Sequence, residues 1–149
     1  MADHVAEQIV QAAVAALTGL ATTGANVFDS RVYPLQHSEL PALLVDQESE
    51  TAAIEGKGSG GIALLRTLTL VVIAKIEQTT SYRRTVNTIR KEVEARLALD
   101  VSLGGAAKYL SPASFELELE GGAEEPVASG TMKFEVIYYT AFPSPDVPL

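Results

Sequence analysis

The sequence contains no cysteine and no tryptophan, and only two of its 149 residues are histidines. Without cysteine the chain has no disulfide, no thiolate metal site and no thiol nucleophile. The histidines, His4 and His37, stand apart from any second histidine or carboxylate at a metal-binding spacing. We therefore expect neither a metal centre nor a catalytic thiol.

Long hydrophobic runs are also missing. No uninterrupted apolar stretch approaches the ~18 residues that a membrane span requires. The N-terminal residues carry Asp3 and Glu7 where a secretory signal would have a basic region. We expect a protein that is made in the cytoplasm and does not enter a membrane.

Positive charge is scarce, with 11 lysines and arginines against 19 acidic residues and a net charge of −8. We do not expect simple electrostatic binding of nucleic acid by such a chain, because that binding depends on basic residues that neutralise phosphates. Residues 81–99 nevertheless have a net charge of +3, so the remainder carries −11 (−8 − 3 = −11). Two readings stay open: a solvated basic helix, or a surface complementary to an acidic one on another copy.

Motifs for catalysis and cofactor binding are absent. The stretch EGKGSGG at 55–61 lacks the P-loop spacing, and a strand follows it where a P-loop has a helix. Glu116, Glu118 and Glu120 alternate with apolar residues, as on the wet face of a strand. We expect no enzyme activity and no cofactor.

The most informative stretch is 62–77, IALLRTLTLVVIAKIE. Its alternation and β-branched residues predict one long strand. Sixteen residues would extend ~53 Å, whereas a compact chain of this length is roughly 38 Å across. Either a bulge bends the strand, or one end projects as an arm whose backbone groups need a partner. The preceding strand, 42–53, and the glycine-rich tip make the two arms a hairpin.

The other elements follow from periodicity and caps. Asp3 is expected to cap a helix ending near Leu17, and Ser81 a second helix ending near Asp100. The second helix has one apolar stripe, which predicts packing on a sheet. Further strands are predicted at 27–33, 115–120 and 130–142, the last two paired as a hairpin. Arg31 and Arg66 lie within strands and need either a structural partner or an intersubunit contact.

The element order α-β-β-β-α-β-β predicts an α+β fold: a mixed or antiparallel sheet of about five strands, covered by two helices, with a projecting β-hairpin. We expect residues 1–142 to form a single domain. Residues 143–149 are proline-rich and are expected to be a loose tail.

Five segments together resemble a known family: 32–35 (VYPL), 40–45 (LPALLV), 66–72 (RTLTLVV), 93–97 (VEARL) and 136–140 (VIYYT). The chain resembles the tail terminator (minor tail protein U-like) family of long-tailed bacteriophages and prophages. The resemblance covers nearly the whole chain and rests on packing and turn residues. It implies a homohexameric ring in the virion tail, assembled in the host cytoplasm.

The resemblance implies three kinds of partner: further copies of the chain, the tail-tube protein whose polymerisation the ring stops, and a head completion or connector protein. DNA would pass through the ring without specific binding. The sequence adds candidate contacts: a β-arm over 48–66, and a basic helix meeting an acidic strand on the next copy. The candidate interface residues are Glu48, Glu50, Glu55, Lys57, Arg66, Arg83, Arg84, Arg90, Lys91, Glu116, Glu118 and Glu120.

Two other functions are open from the sequence. Another neck or tail-completion protein would share the strand pattern but bind the portal side. A small ligand-binding α+β domain would have a cavity with convergent polar groups in a monomer.

Overall fold

A computed structural model describes residues 2–31, 35–58, 61–77, 80–120 and 126–149. Its elements, in chain order, are α1 (Val5–Leu17), β1 (Val27–Asp29), a 3-10 turn (His37–Glu39), β2 (Ala42–Gly58), β3 (Gly61–Glu77), α2 (Tyr82–Ala98), β4 (Tyr109–Glu120), β5 (Val127–Ala141) and β6 (Ser144–Pro148).

The strands form one mixed sheet in the order β1-β2-β3-β5-β4, with β6 paired to β5. β1 runs parallel to β2, and all other neighbours are antiparallel. Both helices pack on the same face, which we call the helix face; the other is the open face. The predicted α+β class is confirmed, with six strands where about five were expected.

The long strand β3 supplies the centre of the core. Its even-numbered residues point at the helices, as alternation predicted, and those from Leu68 to Ile76 are buried. The apolar stripe of α2 packs against them, and its buried members are Val86, Ile89, Val93 and Leu97. At Gly130 of β5 an added Cβ would lie 2.5 Å from Cγ1 of Val86. The missing side chain therefore lets α2 approach the sheet closely.

α1 begins one residue later than the cap prediction implied. His4 is the N-cap, and its Nδ1 accepts a hydrogen bond of 3.0 Å from the backbone N–H of Ala6. Asp3 does not cap; its carbonyl oxygen accepts from the Gln8 side chain. The prediction of Asp3 was wrong because the buried stripe of the helix starts at Val5 and fixes the cap at the preceding residue. The predicted end at Leu17 is confirmed.

The expectation of a loose C-terminal tail was also wrong. β4 starts opposite Ile137, so β5 beyond that point has a vacant edge, and β6 occupies it. Leu149 donates its N–H to the carbonyl of Tyr139 at 3.0 Å, and Gln8 of α1 donates to the carbonyl of Asp146 at 2.8 Å. Prolines are tolerated there because β6 is an edge strand. That residues 1–142 form one domain stays a prediction.

β2 and β4 are much longer than predicted, and β5 begins at Val127 instead of residue 130. β2 continues to Gly58 and β4 begins at Tyr109, where alternation is masked by a register shift between Pro112 and Ser114. β1 is shorter than the predicted strand 27–33, because it ends at Asp29 and the described residues 30 and 31 are not in a strand. Residues 32–33 of that prediction and the tip residues 59–60 lie outside the described residues.

β3 does not leave its own backbone unpaired. It pairs with β5 from Ala63 to Glu77, and the two register shifts of the hairpin lie in β2. β1 covers β2 only over Leu43–Val45. Among the described residues, the unpaired edge of the hairpin is therefore the outer edge of β2 from residue 46 onward.

Candidate interaction surfaces

No group of three or more histidine, cysteine or acidic side chains is placed to hold a metal ion among the described residues. No described helix is both long and apolar enough to cross a membrane.

A cavity of about 460 Å³ lies between the start of α1 and β2. His4, Glu7, Glu48, Glu50 and Leu68 are among its lining residues. His4 already uses Nδ1 to cap α1, and the carboxylate of Glu50 is occupied by neighbours on β3 and β5. The cavity thus has polar walls whose main groups already hold structural bonds.

Glu50 belongs to a network on the helix face, beyond the cover of the helices. Arg66 Nη1 lies 3.0 Å from Glu50 Oε2, and Arg66 Nε donates to Thr140 Oγ1 at 2.8 Å. The hydroxyl of Tyr138 donates to the other oxygen of Glu50. Burial of Tyr138 and its bond to Glu50 raise the pKa of the phenol. Glu50 and Arg66, both predicted interface residues, are thus paired within the chain.

Arg31 likewise has a structural partner. Its guanidinium binds the carboxylate of Glu39 at 2.7 Å and lies over the ring of Phe28, 4.8 Å from the centroid. The bond from Arg31 lowers the pKa of Glu39. Arg31 follows the end of β1 and Arg66 lies within β3, and each has a partner within the chain, which favours the structural role over an intersubunit contact.

The basic helix is only partly available for contacts. Arg83, Arg84 and Lys91 are exposed on α2. Arg90 is half-buried, with its guanidinium 4.2 Å from the ring centroid of Phe115. Arg90 therefore holds α2 against β4, which leaves three of the four predicted basic contacts exposed.

Glu116, Glu118 and Glu120 share the open face of β4, as their alternation predicted. Lys75 Nζ lies 2.6 Å from Glu120, and Ser129 Oγ donates to it at 2.9 Å. The bond from Lys75 lowers the pKa of Glu120. Glu116 and Glu118 are exposed and form no ion pair with the described residues.

The remaining candidates lie on β2. Glu48 forms an ion pair of 3.0 Å with Lys133 of β5, whereas Glu55 and Lys57 are exposed near the tip of the hairpin. Of the twelve predicted residues, the structure brings Glu50 and Arg66 together. α2 packs on the helix face of β4, whereas Glu116, Glu118 and Glu120 point to the open face, so the sheet lies between these carboxylates and the exposed bases of α2.

The open face is acidic overall. Register places six carboxylates and two lysines on it: Asp46, Glu77, Glu116, Glu118, Glu120 and Glu135, with Lys75 and Lys133. Glu48 adds a carboxylate through its ion pair with Lys133, and Lys108 adds a base that lies over the ring of Tyr139. The exposed bases of α2 are on the other side of the sheet. A contact between these bases and the carboxylates of β4 therefore requires the helix side of one molecule to face the open side of another.

Sequence reasoning missed a set of exposed apolar residues near the two sheet edges. Leu117 and Leu119, which alternate with the glutamates of β4, are 36% and 47% exposed on the helix face, and Ile54 of β2 is 58% exposed. Among the described residues, no strand pairs with the outer edge of β4 or with that of β2 beyond Val45. Alternation indicates that such apolar residues share one face of a strand, but it does not indicate where the helices stop covering that face.

No protein family and no curated protein matches the chain. Among solved structures, it is similar to a chain of "Virion of native gene transfer agent (GTA) particle" with 15% sequence identity and a TM-score of 0.35. The alignment covers 90% of each chain. The likeness is distant.

Proposed function

We propose that this protein is a structural component of a phage-type tail, a tail terminator that forms a homohexameric ring on the last ring of the tail tube. The ring stops tube polymerisation and presents a surface for the head completion or connector protein. The protein acts in the virion tail after assembly in the host cytoplasm, and it has no catalytic role. The proposal rests on the resemblance of the packing and turn residues to those of the tail terminator family.

One structural observation carries the proposal: the sheet has two long edges without a described partner. An exposed strand edge presents free N–H and C=O groups, and soluble proteins normally protect such edges or pair them with another chain. Ser49–Ile54 of β2 contains neither proline nor lysine to protect it. A building block of an assembly has a use for such edges, whereas a solitary enzyme does not.

In such a ring the open face would line the central channel through which DNA passes, and the charge of that face supports this placement. Like charges repel, so a wall dominated by carboxylates lets a DNA backbone pass without binding. With the helices outside, Arg83, Arg84 and Lys91 would lie on the outer surface of the ring, available to the tube or connector protein.

The cavity beside Glu50 is the observation that favours a small ligand-binding domain instead. Its volume falls within the range of ligand pockets. However, His4 and Glu50 already make the bonds that a ligand would need, so the cavity offers few free polar groups.

The test combines mass and tube capping. Light scattering of the purified chain, alone and with preformed tubes of the tail-tube protein, should give a mass of about six times 15.8 kDa for the assembled ring. Electron microscopy should show tubes that stop growing once the protein is added.

A chain that remains monomeric with tubes present and leaves their length unchanged contradicts the proposal. Binding to the portal side with no effect on tube growth would instead identify another neck or tail-completion protein.

A further inference from the structure

We infer that the outer edge of β4 in one copy pairs antiparallel with the outer edge of β2 in the next copy, so that neighbouring subunits share one continuous sheet. The inference rests on the proposed ring and deepens it by naming the surfaces that join its subunits.

Strand direction permits this contact. β2, β3, β5 and β4 are successive antiparallel neighbours, so β4 runs opposite to β2. In a cyclic assembly every copy has the same orientation about the ring axis. β4 therefore meets β2 of the next copy as an antiparallel strand, with the helices of both copies on the same side.

The exposed side chains of the two edges also fit together. When Leu117 lies opposite Ala52 of the next copy, the half-buried Phe115 lies opposite Ile54 and Leu119 lies opposite Glu50, so two of these three pairs on the helix face are apolar. On the open face Glu116 and Glu118 lie opposite Ala53 and Thr51, and no carboxylate faces another. Cross-strand pairs without like charges are the ones that stabilise a sheet.

Pairing of β4 with β4 is disfavoured by the same rule. A two-fold axis at Glu118 would place that residue opposite itself and Glu116 opposite Glu120. Pairing of β2 with β2 about Ala52 brings no charges together. It would produce a closed dimer, however, and leave the edge of β4 and its exposed leucines uncovered.

The contact requires a stagger between neighbouring subunits. Leu117 is level with Ala74 of β3, and Ala52 is level with Arg66, eight β3 positions away. A constant displacement along the strands from one subunit to the next is what tilts the strands of a closed barrel. A ring joined in this way has strands inclined to its axis, and with the helices outside, the open face turns inward.

Because the chain has no cysteine, thiol cross-linking can map the contact without background. Two single variants, Ala52→Cys and Leu117→Cys, are mixed and treated with a short bis-maleimide, with and without tail-tube polymers. We expect cross-linked dimers of twice the 15.8 kDa chain mass in the mixture and not in either variant alone. The double variant should give a ladder of oligomers.

Two further variants complete the design. Glu118→Cys is the matched control, since it neighbours Leu117 but points to the open face, and its cross-link to Ala52→Cys should be lost. Leu119→Cys lies on the same face as Leu117, and its linking to Ala52→Cys would support the pairing in a register shifted by two residues.

Dimers formed by Ala52→Cys alone would overturn the inference in favour of β2–β2 pairing. Absence of the mixed cross-link under all these conditions overturns it as well. If the variants still give the six-fold mass and still cap tubes, only the named contact is wrong. If ring and capping are lost in the unsubstituted protein too, the proposed function itself fails.

Discussion

Arg66 reaches diagonally from β3 to Glu50 on β2, and the two side chains form an ion pair of 3.0 Å where the cover of the helices ends. Their side chains are only 13% and 23% exposed. The pair also fixes Tyr138 and Thr140 of β5. One arginine and one glutamate thus tie together the three central strands in the part of the sheet that lacks helix cover.

Replacing Arg66 with methionine should destabilise the protein by about 1–3 kcal/mol, because the carboxylate of Glu50 is then left partly buried without its cation. Denaturant unfolding measures the change in free energy. The double variant Arg66→Met, Glu50→Gln should be less destabilised than the sum of the single variants, since it removes both charges. Additive single effects would show that the pair is not coupled.

Gly130→Ala should destabilise the protein by about 1–3 kcal/mol through overpacking. The new methyl group would lie 2.5 Å from Cγ1 of Val86 and 3.1 Å from Cε1 of Phe115, so α2 would have to move off the sheet. Thermal unfolding measures the loss. In the background of Val86→Ala the same substitution should cost less, and an equal cost in both backgrounds would contradict the close approach of α2.

The Lys75–Glu120 pair should make the free energy of unfolding depend on pH in the acidic range. Lys75 lowers the pKa of Glu120 in the folded chain, so the unfolded chain binds the proton more readily. The contribution of the pair to the free energy of unfolding is present above pH 4.5, the ordinary pKa of a glutamate. It is lost as the pH falls through the lowered pKa of Glu120 in the folded chain.

In the Lys75→Met variant, the free energy of unfolding should therefore fall less between about pH 6 and pH 3 than in the unsubstituted protein. Lys57→Met is the matched control, because Lys57 is exposed and forms no ion pair with the described residues. Parallel pH curves for the Lys75→Met variant and the unsubstituted protein would contradict the role of the pair.

Reversing a charge on the open face should make the ring bind DNA. Glu118→Lys adds a cation to that face in every subunit, and the affinity gained should fall steeply with added salt, because binding to phosphates releases counterions. Fluorescence anisotropy of labelled duplex DNA measures it. Glu94→Lys makes the same change on α2, on the other side of the sheet, and is expected to have less effect. Equal binding by the two variants would contradict an inward open face.

Local periodicity predicted most of the fold. Alternation located β3 and the pairing of β4 with β5, and the spacing of Val86, Ile89, Val93 and Leu97 identified the buried side of α2. Each of these signals depends only on neighbouring residues, because a strand or helix repeats its exposure over two or about 3.6 residues. The same signals placed Glu116, Glu118 and Glu120 on one face.

Distances between elements decided the rest. The tail became β6 because β4 starts opposite Ile137 and leaves the edge of β5 beyond that residue vacant. Leu117 and Leu119 are exposed because α2 does not cover the C-terminal end of β4. Arg66 forms its ion pair with Glu50 because the register shifts in β2 set the alignment of this strand against β3.

The sequence by itself determined which residues are apolar, which strands alternate and where charge accumulates, since these are properties of a residue and its near neighbours. Only the tertiary structure decided which edges stay unpaired and which side chains neutralise one another. Those outcomes depend on where each element ends relative to the others, and contacts between residues far apart in the chain set those positions.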